Sequence, residues 1–215
     1  MSSISSNRIL NIYNSRNTIL ELLESQEFDV SGYSGFSINE IDAMFVNSQL
    51  DMLVSNSKND KKVYVKYFIS PKQTTKQIKS QYLDVIIEDL FVIDNVLTKK
   101  DTLIIIIDDE PNDTIITRLK YLFDNDGIFV VIHNIKRLQF NILNHTLIPK
   151  ISILEESNVE VLKKKYNLKD LSQLPEISRF DPLALAIMMR PNDVAIIIRD
   201  SVTALNNAYY RVCVH

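Results

Sequence analysis

The chain reads as an α/β protein with a smaller, mixed α+β domain at its C-terminus. Two runs, TLIIII at 102–107 and IFVVIH at 128–133, are almost wholly apolar and rich in β-branched residues. Strands covered on both faces have this composition, because neither side of the pleat meets water. Helical patterns at 73–91 and 113–124 precede these strands, so strand and helix alternate. That order implies a mixed or parallel sheet with helices on its faces. From about residue 142 the pattern changes to short elements set by turn chemistry, as in LPEISRFDPLALAIMMRPNDVAIIIR at 174–199. The predicted domains are 1–142 and 143–215.

The elements can be placed in order. MSSIS is a Ser-rich leader expected to fray. Ile9, Leu10, Tyr13, Ile19, Leu20 and Leu23 recur at helical spacing and predict a helix over 6–25. Gly32 and Gly35 mark a loop, and Ser37 with Glu40 forms a capping box that starts a helix at Ile38. Residues 49–55 and 62–69 read as strands. In the second, Val63, Val65 and Tyr67 alternate with Lys62 and Lys66, giving one buried face and one wet face. Gly127 ends the helix at 113–124. Leu174-Pro175 is a rigid extended dipeptide, and Asp181-Pro182 opens a short apolar helix, Asp as N-cap and Pro at the first helical position. Arg190-Pro191-Asn192-Asp193 makes a turn, and VAIIIR reads as a buried strand.

Composition narrows the function. The 215 residues carry a net charge of -3. Residues 1–144 hold 15 Lys/Arg and 19 Asp/Glu, and residues 145–215 hold 9 and 8. Neither part is basic enough to bind DNA tightly alone at physiological salt. A single cysteine, Cys213, excludes an intramolecular disulfide and a thiolate metal site. The leader lacks the apolar core of a signal peptide, and no run reaches the ~20 apolar residues that span a bilayer. The expectation is an intracellular, soluble chain with no membrane partner. Three glycines, none clustered, leave no P-loop and no dinucleotide fingerprint. Frequent Ile, Asn, Lys and Asp suggest an AT-rich genome, such as that of a large DNA virus or a protist.

The last third carries a resemblance. His145, Ile148-Pro149-Lys150, Val161 to Tyr166, Gln173-Leu174-Pro175, Asp181-Pro182-Leu183-Ala184, Ile197-Ile198-Arg199, Ser201, Thr203 and Tyr210-Arg211 follow one another in order. This string resembles the C-terminal assembly domain of the fifth subunit of eukaryotic nuclear RNA polymerases, which has a short archaeal counterpart. The family usually has Gly where Met188, Asn192 and Leu205 stand, Glu in place of Val202 and Arg in place of Asn206. Asn tolerates a left-handed backbone, whereas Leu205 predicts a turn of altered shape. Residues 1–142 resemble the family's jaw domain more loosely, through the opening helix with Arg16 and the FVV-x-H strand. The resemblance implies a nuclease-like α/β topology without nuclease activity. It also implies the eukaryotic or viral form, because archaeal members lack that domain.

On function, the resemblance implies a non-catalytic, non-homo-oligomeric subunit of a DNA-dependent RNA polymerase. It would dock on the largest subunit through the C-terminal domain and form part of the lower jaw beside downstream DNA. No cofactor or metal is implied. Partner-binding candidates are Pro149, Lys150, Pro175, Asp181, Pro182, Arg199, Ser201, Thr203, Tyr210 and Arg211, with Arg199 and Arg211 expected side by side on neighbouring strands. Asn112, Asp113 and Thr114 are the DNA-proximal candidates. The location would be the nucleus for a cellular member, and a cytoplasmic factory or virion for a viral one.

A second hypothesis is a metal-dependent, nuclease-like enzyme that processes DNA. Its candidates are Asp51, Lys66 and Glu88, but Tyr64 stands where an acid-x-Lys element needs its acid. Asp108-Asp109-Glu110 and Asp113 are read as a solvated loop capping the next helix, with Mg²⁺ binding as the alternative. His133, His145 and His215 lack partners at ligand spacing, and His145 is expected to fix a turn. Lys58, Lys61, Lys62, Lys66, Lys72, Lys76 and Lys79 either protect a strand edge and a wet helix face or approach phosphate. Lys163-Lys164-Lys165 reads equally as a solvated face or a contact to an acidic partner.

Overall fold

The computed structural model describes residues 2–56, 58–69, 78–201 and 203–215, which divide into two compact units, Met1–Phe140 and Asn141–His215.

The first unit opens with helix α1, Ser2–Glu24. The leader expected to fray is wound into its first turns, since neither Gly nor Pro occurs before Gly32 to break it. Helix α2, Ile38–Val46, starts where the capping box predicts: Ser37 Oγ accepts from the Glu40 N–H, and Glu40 accepts from the Ser37 N–H at 2.7 Å. Strands β1 (Met52–Ser55), β2 (Lys62–Tyr67), β3 (Thr102–Ile107) and β4 (Phe129–Asn134) form one sheet in that order. β1 runs antiparallel to β2, and β2, β3 and β4 are mutually parallel. Helix α3 (Ser80–Glu88) connects β2 to β3, and α4 (Asp113–Tyr121) connects β3 to β4. Every residue of β3 and β4 is buried, as their composition predicts.

Several expectations are corrected. The helix predicted over 73–91 begins at Ser80, preceded by an extended Lys79 without a side-chain cap; residues 73–77 lie outside the described residues. It then widens into a π-helical turn, Asp89–Ile93. Asp113 lies in the first turn of α4, at the end that favours an acid, but no member of the acid run is its N-cap. Asn112 is the N-cap, accepting from the Ile115 N–H at 2.9 Å. Asp108 instead pairs with Arg8 at 3.3 Å, and Glu110 with Arg137 at 2.8 Å. The carboxylate that organises this sheet is Asp101, only 3% exposed. It accepts from the Lys62 N–H at 2.6 Å and from the Thr98 N–H and hydroxyl, each at 2.7 Å, tying the start of β2 to the start of β3.

The second unit begins with a 3₁₀ turn, Ile142–Asn144, followed by β5 (Lys150–Ile153), α5 (Glu156–Tyr166), β6 (Glu176–Ser178), α6 (Pro182–Ala186), β7 (Val194–Ser201) and β8 (Leu205–Val214). Its sheet order is β5-β7-β8-β6, with β6 parallel to β8 and the other pairs antiparallel. Ile177, Ala184, Ile187, Met189, Ala195 and Cys213 form its core. Burial pushes the Cys213 thiol up to about 12, Asp193 adding to the effect, so this cysteine packs as an inert apolar group.

Met188, Asn192 and Leu205 all adopt left-handed backbone, at φ 52°, 73° and 55°. Met188 closes α6 as a Schellman motif: its N–H donates to the Leu185 carbonyl, and the Met189 N–H donates to Ala184. Leu205 is 85% exposed where the hairpin re-enters β8. The turn thus keeps the shape that glycine ordinarily takes, at a cost of about 1 kcal/mol for a residue carrying Cβ.

This packing makes two effects measurable. Leu205→Gly is expected to raise the urea stability of the second unit by up to about 1 kcal/mol, with Asn192→Gly close to neutral; a lowered midpoint for Leu205→Gly contradicts a strained turn. His133 lies in β4, 7% exposed, and burial pushes its imidazole down to about 4, with the Arg137 cation acting in the same direction. The unfolded chain therefore takes up the proton first as pH falls below 6.5. Stability is full above that pH and is expected to drop by about 2 kcal/mol between pH 7 and 5. His133→Gln removes this dependence; a flat profile for the unsubstituted protein over that range contradicts it.

Candidate partner-docking surface

The candidates of the second unit gather around the β7–β8 hairpin. The pairing sets Arg199 opposite Asn207, Ile197 opposite Tyr209 and Ala195 opposite Arg211. Arg199 and Arg211 are therefore not direct cross-strand neighbours, contrary to expectation. Instead they flank one ring: the guanidinium carbon of Arg199 lies 5.0 Å from the Tyr209 centroid and that of Arg211 lies 5.4 Å from it. Directly opposed residues share a face of an antiparallel sheet, as do alternate residues along a strand. Arg199, Tyr209 and Arg211 consequently form a stack on the face that continues inward to buried Ala195 and Ile197. Arg211 is further fixed by donating from Nη1 to the Glu176 carbonyl at 2.7 Å, which links β8 to β6.

The other face of the hairpin carries Tyr210, whose ring meets Tyr166 of α5 edge-on at 6.0 Å. Pro175 leads β6 into place by accepting from the Val212 N–H at 2.9 Å. The Ser201 and Thr203 hydroxyls lie 3.3 Å apart at the hairpin end. Pro149 immediately precedes β5, and Lys150 pairs with Ile198 across the sheet. Asp181 and Pro182 start α6, the Asp181 carboxylate accepting from the Leu183 N–H at 2.9 Å. His145 Nδ1 accepts from the Leu147 N–H at 3.2 Å, a turn contact of the expected kind. Lys163 pairs with Glu160 at 2.8 Å, while Lys164 and Lys165 lie on the exposed side of α5. Sequence reasoning missed Tyr209. The signal was the alternation of Tyr209 with Arg211, which puts both on one face.

In the first unit, Asp51 and Lys66 do meet, at 3.2 Å. Asp51 also accepts from the Tyr64 hydroxyl at 3.3 Å and from the Tyr67 N–H at 2.9 Å. Glu88 lies on α3 and takes no part in this arrangement. Among the described residues no group of three or more His, Cys, Asp and Glu is arranged to hold a metal ion. Arg16 is buried at 2% exposure, donating to the Leu50 carbonyl at 2.8 Å beneath the Tyr33 and Phe36 rings. Lys58 pairs with Glu27, Lys61 and Lys62 are exposed, and Lys72 and Lys76 lie outside the described residues. Asn112, Asp113 and Thr114 form the N-terminal end of α4, where Asn112 is occupied as its cap.

Known proteins match both units in sequence. The family described as RNA polymerase Rpb5, C-terminal domain, matches residues 140–213, the second unit almost end to end. The DNA-directed RNA polymerase subunit Rpo5 of Thermococcus kodakarensis is 45% identical over 76 residues, 35% of this chain and 92% of the relative.

The chain belongs to the Rpb5/Rpo5 family.

The Rpo5 subunit of Methanococcoides burtonii is 40% identical over 73 residues, again 92% of its length. A Dictyostelium discoideum protein, DNA-directed RNA polymerases I, II, and III subunit rpabc1, is 28% identical over 211 residues, 97% of this chain and 98% of the relative. The archaeal Rpo5 matches thus span about a third of this chain, and the Dictyostelium match spans nearly all of it.

The local role of one docking candidate can be tested in the isolated protein. Asp181→Ala is expected to cost about 1 kcal/mol in urea unfolding, through loss of the α6 cap. Unchanged stability contradicts a capping role for Asp181.

Proposed function

We propose that this chain is a non-catalytic subunit of a multisubunit DNA-dependent RNA polymerase, whose active site lies in other subunits. The second unit docks on the largest subunit, through the β7–β8 hairpin and the strand and helix starts at Pro149-Lys150, Pro175 and Asp181-Pro182. The first unit forms part of the lower jaw beside downstream DNA. The observation that carries this reading is the match over nearly the whole chain to a polymerase subunit shared by three enzymes, together with the Rpb5 C-terminal domain match to residues 140–213 and the stronger matches to short archaeal subunits. A module kept alone in the shorter relatives is the natural seat of assembly. The proposed site of action is that of transcription: the nucleus in a cell, or a cytoplasmic factory or virion for a viral polymerase.

The chemistry of the first unit supports the same reading. Asp51, the acid a nuclease would need, is engaged by Lys66, Tyr64 and the Tyr67 N–H, so a cation there would have to displace three donors. The proposed DNA side is the loop ending in Asn112, Asp113 and Thr114. Acids in this loop repel phosphate, and the positive end of α4 attracts it only weakly. The contact is therefore weak and independent of sequence, and matters only within the assembled enzyme.

Affinity purification of the tagged, full-length chain tests this. The expected product is a multisubunit RNA polymerase with template-dependent activity. The isolated chain is expected to bind duplex DNA no more tightly than about 10⁻⁴ M at physiological salt and to leave plasmid intact with Mg²⁺. Plasmid cleavage lost on Asp51→Ala, or recovery of the chain without polymerase subunits, contradicts the proposal.

A further inference from the structure

The cationic stack on the hairpin has a chemistry that the chain itself does not satisfy. Arg199 is exposed and Arg211 half-buried, and both lie against Tyr209. Among the described residues neither guanidinium of the stack meets a carboxylate, unlike the arginines of pairs such as Arg8–Asp108, Arg118–Asp84 and Arg137–Glu110. Arg211 uses Nη1 on the Glu176 carbonyl, a neutral acceptor that leaves its charge uncompensated. A guanidinium lying on a ring is already ordered, which lowers the entropic cost of fixing it on a ligand, and its planar fork matches a carboxylate in two parallel hydrogen bonds. The stack stands at the outer end of a face rooted in buried Ala195 and Ile197, so a cationic end adjoins an apolar base.

We propose that the Arg199–Tyr209–Arg211 stack docks an acidic segment of another polymerase subunit, with carboxylates of that segment meeting the two guanidiniums. The proposal rests on the chain being a polymerase subunit and specifies the chemistry that seats it. Charge complementarity selects the occupant. A nucleic-acid backbone fits less well, because residues 145–215 hold 9 Lys/Arg against 8 Asp/Glu, and two arginines neutralise too few phosphates for stable binding. Tyr209 cannot serve as a stacking platform for a base either, since its ring is already flanked by cations.

The test uses the full-length chain, reconstituted onto its own polymerase purified without it. A photo-crosslinking residue replaces Asn207, which is exposed and opposite Arg199. The crosslink is expected to map to a polymerase segment containing Asp or Glu. Arg199→Glu is expected to weaken incorporation about 100-fold and Arg199→Lys about 10-fold, because lysine keeps the charge but loses the fork. Both variants are expected to melt as the unsubstituted chain does. Reversing the crosslinked acid to Arg is expected to abolish incorporation of the unsubstituted chain and to restore that of Arg199→Glu. Equal incorporation of Arg199→Glu, a crosslink to DNA, or a crosslinked segment without acids overturns this inference alone. Failure of the unsubstituted chain to join the polymerase overturns the subunit reading as well.

Discussion

The β7–β8 ladder is the constraint on which the C-terminal unit depends. Among the described residues β5 pairs only with β7 and β6 only with β8, and the core residues Ala195 and Cys213 lie on the β7–β8 pair. The chain must reverse sharply to enter and extend the ladder, and it does so through left-handed residues at 188, 192 and 205. Two of these carry side chains that are conformationally disfavoured there. The ladder and the α6 cap over-determine those turns, so the backbone keeps a glycine-like geometry where the sequence supplies Met and Leu. A register slip of one residue would turn Ala195 and Ile197 outward and disperse the arginine–tyrosine stack, which couples the surface chemistry to core packing.

The first unit depends on a different constraint. Its parallel strands β2 and β3 lack a hairpin to set their register, and buried Asp101 supplies a substitute by binding the Lys62 and Thr98 backbones. Ion pairing then occupies several of the acids that would otherwise suggest metal chemistry, as with Asp51, Asp108 and Glu110. The result is an α/β layer in which these carboxylates serve its own architecture.

What the sequence made legible was local. The capping box at Ser37, the Asp181-Pro182 helix start and the largely apolar strands at 102–107 and 129–134 each declare themselves within a few residues. Features set by distant partners were hidden. Asp101 binds a residue 39 positions away, and Arg8 pairs with an acid 100 positions away, so the acid run could be mistaken for a helix cap. Arg199 and Arg211 were legible as docking candidates, but their relation through Tyr209 required the hairpin register. Asn112, proposed to lie near DNA, is also the cap that α4 requires.

The proposed function divides labour between the units: Asn141–His215 seats the chain on the polymerase, and Met1–Phe140 faces downstream DNA. An electron cryo-microscopy map of the transcribing polymerase containing this chain puts that division to the sharpest test. The expected map has the β7–β8 hairpin against the largest subunit and the N-terminal end of α4 turned toward the downstream duplex. A map with the first unit against the largest subunit and the hairpin open to solvent would contradict it.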